Sequence, residues 1–303
     1  MFFTQLNGQV LSLCKSMPSP LQNTTLLFLM NYSKIQIGEE LSFFRNYYAP
    51  AWSIIYWIVY SGSENKPLSQ IDIKEALTAH SMAMFLHSLD DHLTDGEVPL
   101  THLNLLLRSQ AWLLMKASLD RLCERIPAGN RIVRTHIDDY YDSIAGSQKA
   151  DDFESYCTLF RKQMATWLIV PSLLTKRLSA RDQYTEDIES AYGSFGIAWR
   201  LLDDINDMAE DMTNGTHSAV YWCLPATIQH YWNRRRGEGL TSSDSNHDIV
   251  LEYLFESAII QQIVQIICNE LESAVQIAIK YNLTGLMREF RTLLKPLRDV
   301  VVT

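Results

Sequence analysis

Glycine and proline are scarce, 12 and 9 in 303 residues. That leaves little of the punctuation that many short strands and tight turns require, and it favours long uninterrupted helices. Cysteine is sparse too: Cys14, Cys123, Cys157, Cys223 and Cys268 make five, an odd number, widely spaced and without a CxxC pair. This spacing argues against a disulfide framework or a zinc site and fits reduced thiols in a cytoplasmic protein. Positive charge is in deficit, with 26 Lys and Arg against 35 Asp and Glu for a net charge of −9, which disfavours nucleic acid as a partner. The most apolar window, AWSIIYWIVYSG at 51–62, falls short of the roughly 20 residues that span a bilayer and reads as a core helix. Peripheral membrane contact stays compatible with the sequence. The first residues, MFFTQLNGQVLSLCKS, lack a basic n-region and a clear apolar h-region, so no signal peptide is expected. No internal repeat and no convincing strand pattern stands out.

What is there is helical periodicity. A hydrophobic content of 47% with 20% charged residues suits a globular chain with a sizeable core. Residues 1–20 read as a loose lead-in closed by Pro18 and Pro20, and 21–303 as a single all-α domain, a bundle of ten or more helices. The pattern predicts helices at 21–34, 37–48 and 50–61, a loop at 61–68, then a helix from Ser69 to Asp95 ended by Gly96. Further helices are predicted at 101–125, 130–146 (stopped by Gly146), 151–176 with a kink or break at Pro171, and 182–212 with a bend near Gly193 and Gly196. Shorter helices follow, then a polar loop at 234–248 containing Arg234, Arg235 and Arg236, then helices at 249–282 and 285–299.

Two acidic stretches interrupt this apolar periodicity. In YGSFGIAWRLLDDINDMAEDMTNG (192–215), Ile197, Leu201, Leu202, Ile205 and Met208 keep a helical face. Beside them Asp203, Asp207 and Asp211 follow at i, i+4 and i+8, with Asp204 and Glu210 adjacent. Like charges at this spacing cost roughly 0.2–0.5 kcal/mol per pair, so the helix calls for a cation. In FLHSLDDHLTD (85–95), Asp91 and Asp95 sit at i, i+4 beside Asp90, with His87 one turn before. Two such helices facing one cavity suit a hard divalent ion, Mg2+ or Mn2+, held by one or two carboxylates while a substrate phosphate completes the shell.

These residues carry a resemblance. DDHLTD at 90–95 and DDINDMAED at 203–211 resemble the paired aspartate-rich motifs of class I isoprenoid synthases. GIAWRLLDDIND is similar to the trans-prenyl diphosphate synthase pattern in which Gly-x-Ala-Phe-Gln precedes DDxxD. Asp91–Asp95 and DMAEDMTNG are similar to the DxxxD and DxxEDxxxG of squalene and phytoene synthases. The middle segment at 145–167 resembles the region between the motifs in both groups, and the whole resemblance covers roughly 75–225. It implies an all-α fold around a central apolar cavity and a prenyl diphosphate substrate. Metal ions would be held by Asp90, Asp91, Asp95, Asp203, Asp204, Asp207 and Asp211. A homodimer, common in that family, is also implied.

Ionisation of a diphosphate needs metal and cationic side chains where charge develops, and the resulting allylic cation needs an apolar, aromatic pocket. Candidate cations are Arg161, Lys162 and Arg200. Candidate pocket residues are Phe85, Met164, Trp167, Tyr192, Phe195 and Trp199, and the resemblance adds Gln148. The chain departs from the elongating synthases. No arginine pair follows Asp95, the next arginine being Arg108. Lys66 stands alone where a Gly-Lys-Arg element is kept, and Trp199–Arg200 replaces Phe-Gln. Nor is the cyclase element with serine and glutamate after Asn206 present, since Glu210 and Asn214 hold those places. On balance the expected function is a Mg2+-dependent terpene synthase that cyclises or rearranges the cation. The alternative is a prenyltransferase, acting on a non-standard acceptor, by head-to-head condensation or by chain elongation. A non-catalytic helical scaffold or partner subunit is the reading of another class.

Overall fold

The computed structural model describes residues 2–36, 38–39, 42–61, 68–145, 149–179, 181–233 and 245–301. Among them fifteen α-helices and no strand form. In chain order these are α1 (Phe2–Ser16), α2 (Gln22–Tyr32), α3 (Ala49–Ser61), α4 (Gln70–Thr94), α5 (His102–Cys123), α6 (Gly129–Ile144), α7 (Phe153–Gln163) and α8 (Ala165–Leu178). They continue as α9 (Asp182–Asn206), α10 (Met208–Asn214), α11 (Ala219–Cys223), α12 (Ala226–Asn233), α13 (Ser245–Glu256), α14 (Ile259–Lys280) and α15 (Thr284–Val301). The all-α expectation is met.

Local chemistry sets the helix that carries the first acidic stretch. Ser69 and Asp72 cap α4 reciprocally, Asp72 N donating to Ser69 Oγ at 3.1 Å and Ser69 N to Asp72 Oδ2 at 3.3 Å. Such a cap contributes roughly 1 kcal/mol. At the far end Asp95 is the last cap and Gly96 takes φ +77°, where a side chain would strain the backbone. Between the ends α4 packs on α1, α5 and α8, and α9 packs on α8 and α14. Trp167 of α8, Tyr192 and Phe195 of α9 and Phe290 of α15 are fully buried and touch ring to ring. Each such side chain contributes roughly 1.5–3 kcal/mol through apolar burial.

The structure differs from the sequence expectation in five places. Residues 2–16 are not a loose lead-in but α1, which buries Leu6, Val10, Leu13 and Cys14 on one face. Residues 42–48 are turns rather than helix, because Phe43, Phe44, Tyr47 and Tyr48 each reach a different part of the core or cavity. The 151–176 helix breaks at Met164, not at Pro171, which lies inside α8. The acidic helix runs through Gly193 and Gly196 and breaks instead at Asp207, with φ −95° and ψ 8°. The predicted 249–282 helix divides into α13 and α14, bent by 60°. The loop at 61–68, Gly146 and the arginine run at 234–236 fall largely or wholly outside the described residues.

All five cysteines are free. Among the described residues no single helix is long and apolar enough to cross a membrane. The bent α13–α14 pair passes that test only jointly, and α14 spends Ile263, Ile267, Leu271 and Val275 on the core.

Candidate active site

A cavity of about 1190 Å³ opens between α2, the 43–47 turn, α4, α5, α6, the α7–α8 junction and α9. Its upper rim is acidic. Asp90 and Asp91 come from the last turns of α4 and Asp203 from the end of α9. They reach it because the apolar stripe of each helix, Phe85, Leu86 and Leu89 on one and Ile197 and Leu201 on the other, is turned into the core. The lower wall is aromatic. Trp199 stands 5.6 Å from Trp167 and 5.6 Å from Tyr47, and His87 lies edge-on to Trp167 at 4.9 Å.

Charge is poorly balanced at this rim. Asp203 keeps access to solvent, but the surrounding protein, the charge of Asp207 and, more weakly, that of Asp91 push its carboxyl above the usual range. Desolvation and the Asp91 and Glu97 charges raise Asp95, and burial pushes Asp211 up to about 6. Burial lowers His87, against the pull of Asp91 and Asp90.

The structure brings together eight of the predicted residues as lining: Asp90, Asp91 and Asp203, the side chains of Phe85, Met164, Trp167 and Trp199, and Arg200. The others stand elsewhere. Tyr192 and Phe195 are core residues behind the wall, and the Tyr192 hydroxyl donates to the Ala51 carbonyl at 2.5 Å. Arg161 faces outward and pairs with Glu270 of α14 at 2.7 Å, so it does not serve the cavity. Lys162, beside it on α7, is half-buried and does not line the cavity either. Asp95, Asp207 and Asp211 continue the acidic faces beyond the cavity wall, while Asp204 is 2% exposed and turned inward. Gln148 lies outside the described residues.

Several lining residues escaped the sequence reading. Tyr32 and Ser88 join hydroxyls at 2.7 Å on the wall, and Phe44, Tyr47, Phe160 and Gln163 complete its aromatic and polar surface. Tyr140 reaches the rim from α6 and Arg108 from α5. Only Arg108 had left a trace, as the first arginine after Asp95.

The donor set fits a hard divalent cation. It consists of carboxylate oxygens, crowded enough to raise one another's affinity for protons. Among the described residues no three His, Cys, Asp or Glu side chains converge as a ready-made cage. A hard divalent cation is usually held by one or two carboxylates together with substrate phosphates and water.

The all-α fold is shared with two solved structures. A solved geranylgeranyl pyrophosphate synthase from Corynebacterium glutamicum matches with a TM-score of 0.70 over 97% of this chain and 90% of that one, at 12% identity. A geranylgeranyl pyrophosphate synthetase from Pyrococcus horikoshii matches with a TM-score of 0.64 over 97% and 94%, at 11% identity. No protein-family model matches the sequence, and no curated protein matches it significantly.

Proposed function

We propose that this chain is a Mg2+-dependent prenyltransferase that ionises an allylic prenyl diphosphate and passes the prenyl group to an acceptor. One observation carries the reading: Asp91 of α4 and Asp203 of α9 rim a single cavity whose lower wall is aromatic. The names of the two similar structures, both synthases of a prenyl diphosphate, favour transfer over cyclisation. Asp91 and Asp203, with Asp95 and Asp207 beside them, would hold Mg2+, which would supply charge neutralisation and Lewis-acid help to a departing diphosphate. The diphosphate end of the substrate lies at this rim. Its hydrocarbon tail descends past Phe85 and Met164, and Trp199, Trp167 and Tyr47 exclude water and turn ring faces toward positive charge. A cytoplasmic location and a homodimeric state belong to the same proposal.

Cyclisation of the cation is the second reading, favoured by the continuous ring wall of Tyr47, Trp167 and Trp199. Purified protein incubated with geranyl, farnesyl and geranylgeranyl diphosphates, with and without Mg2+ and isopentenyl diphosphate, separates the readings by mass spectrometry. A longer diphosphate that needs isopentenyl diphosphate establishes chain elongation. Diphosphate release without a hydrocarbon product points to transfer onto another acceptor. A hydrocarbon or alcohol from one diphosphate alone establishes the cyclase. No metal-dependent turnover returns the fold to a scaffold role.

A further inference from the structure

Each acidic stretch contains a pair of adjacent aspartates, and in each pair one carboxylate is already spent on the protein. Asp90 accepts two hydrogen bonds from Arg108 of α5, Nε to Oδ1 at 2.5 Å and Nη2 to Oδ2 at 2.8 Å. Tyr140 of α6 donates a third, its hydroxyl 2.9 Å from Oδ2. Asp204 is held in the same manner. Arg200 Nε lies 2.9 Å from its Oδ1, the Tyr156 hydroxyl of α7 donates to Oδ2 at 2.7 Å, and the Ala219 N–H that opens α11 donates to Oδ2 at 2.8 Å. Arg200 also donates to the Tyr156 hydroxyl at 2.8 Å and lies over the Phe160 ring.

The two arrangements share a plan: one aspartate, one arginine and one tyrosine, tying a motif helix to its neighbours. A carboxylate has about four acceptor positions. Three are filled by hydrogen bonds at Asp90 and two at Asp204, and both carboxylates are compensated by a guanidinium. Among the described residues, the Asp91, Asp203 and Asp207 carboxylates receive no hydrogen bond or ion pair from another side chain. Breaking such an ion pair to free a ligand leaves an arginine with an unmet charge, a cost that is largest at the buried Asp204 and smaller at the half-buried Asp90–Arg108 pair. A ligand set drawn from Asp91, Asp95, Asp203 and Asp207 avoids that cost.

We infer that Asp90 and Asp204 are positioning residues that lock the ends of α4 and α9 in place through Arg108–Tyr140 and Arg200–Tyr156, and that neither ligates metal. The inference rests on the metal-dependent reading of the site and divides the motif aspartates within it. It also gives Arg200 a role other than that of a free catalytic cation, since its charge is committed to Asp204.

The test measures Mn2+ binding in the presence of inorganic pyrophosphate by electron paramagnetic resonance, alongside thermal unfolding. Asp91→Asn and Asp203→Asn should weaken Mn2+ binding by about tenfold or more, because each removes one of few charged ligands, with little loss of midpoint. Asp90→Asn and Arg108→Gln should leave Mn2+ affinity within about threefold of wild type while lowering the midpoint by several degrees. Their double variant should unfold no earlier than the worse single variant. Tyr156→Phe tests the second lock if Asp204→Asn fails to fold, and should also lower the midpoint while keeping Mn2+ affinity. Loss of Mn2+ by Asp90→Asn as severe as that by Asp91→Asn would overturn the inference, as would unchanged midpoints in Asp90→Asn, Arg108→Gln and Tyr156→Phe. A wild-type chain that binds no Mn2+ would overturn the metal reading itself and this division with it, an outcome distinct from the variant-specific failure.

Discussion

Gly196 of α9 lies so close to Met164 that a Cβ added to it would stand 2.1 Å from the Met164 sulfur. Met164 is 3% exposed, lines the cavity, and is the residue at which α7 gives way to α8. The bare glycine leaves room for the Met164 side chain at the cavity wall.

Gly196→Ala should force the flexible end of Met164 out of its seat and lower stability by about 1 kcal/mol, the overpacking cost being partly offset by the better helix propensity of alanine. Urea unfolding measures it. Met164→Ala in the same chain should recover part of the loss, because it removes the side chain that the new methyl meets.

Asp91→Ala or Asp207→Ala should reduce turnover by about 100-fold or more, as expected when charge stabilisation of a leaving group is lost. Far-UV circular dichroism should stay near wild type, since each change also relieves repulsion between like charges. Loss of helicity in both variants would mark the acid clusters as structural.

Under the proposed function, chelation with excess EDTA should silence turnover by the wild-type chain and leave its fold intact, with Mg2+ restoring activity. The ratio of initial rates before and after readdition checks this. A lower unfolding midpoint in EDTA would argue for a resident structural ion, contrary to the open rim of Asp91 and Asp203.

Trp199→Ala should change the product mixture or raise the share of alcohol formed by water. Trp199 meets Trp167, Tyr47, Tyr48 and Phe195 in the wall, so its removal opens a hole that solvent can enter. Gas chromatography of the products measures the shift, and an unchanged profile would exclude Trp199 from contact with the cation.

Stability should fall with acid through His80. Its Nε2–H donates to the Ala51 carbonyl at 2.9 Å and its Nδ1 is buried without a partner, so burial lowers its pKa from 6.5 to about 4. Between those values the unfolded chain takes up a proton that the folded chain refuses. The contribution is thus intact above pH 6.5 and is lost as pH falls toward 4, by up to about 1.4 kcal/mol per pH unit. Urea midpoints measured from pH 7 to pH 4 should show a shallower slope in His80→Gln, which keeps a donor for Ala51.

Features written in neighbouring residues were legible in the sequence. The Ser69 cap and Gly96 stop bound α4 as expected, and the i, i+4 spacing of Asp91 with Asp95 and of Asp203 with Asp207 marked both acidic helices. What was not legible depends on partners far along the chain. Arg108 meets Asp90 only because α5 folds back on α4, and Tyr32 and Tyr47 arrive from segments 40 or more residues before the first motif. Pro171 is the local candidate for a helix break, yet the break falls at Met164, whose side chain packs against Gly196, 32 residues later. Arg161 was misread for a related reason: it faces α14, whose position no local pattern reveals.

The turns at 42–48 give the cavity one wall unlike the others. Phe43, Phe44 and Tyr47 line it from backbone that belongs to no helix, whereas the facing walls are fixed by ladders of helical hydrogen bonds. A substitution in a helical wall disturbs its own register and the neighbour it packs on. One at the half-buried Phe43 reshapes the chamber without breaking a helical ladder, while the buried Phe44 anchors the segment in the core. The segment is accordingly where the shape of the chamber can change while the acidic rim stays as it is, and where directed evolution for altered ligands should begin.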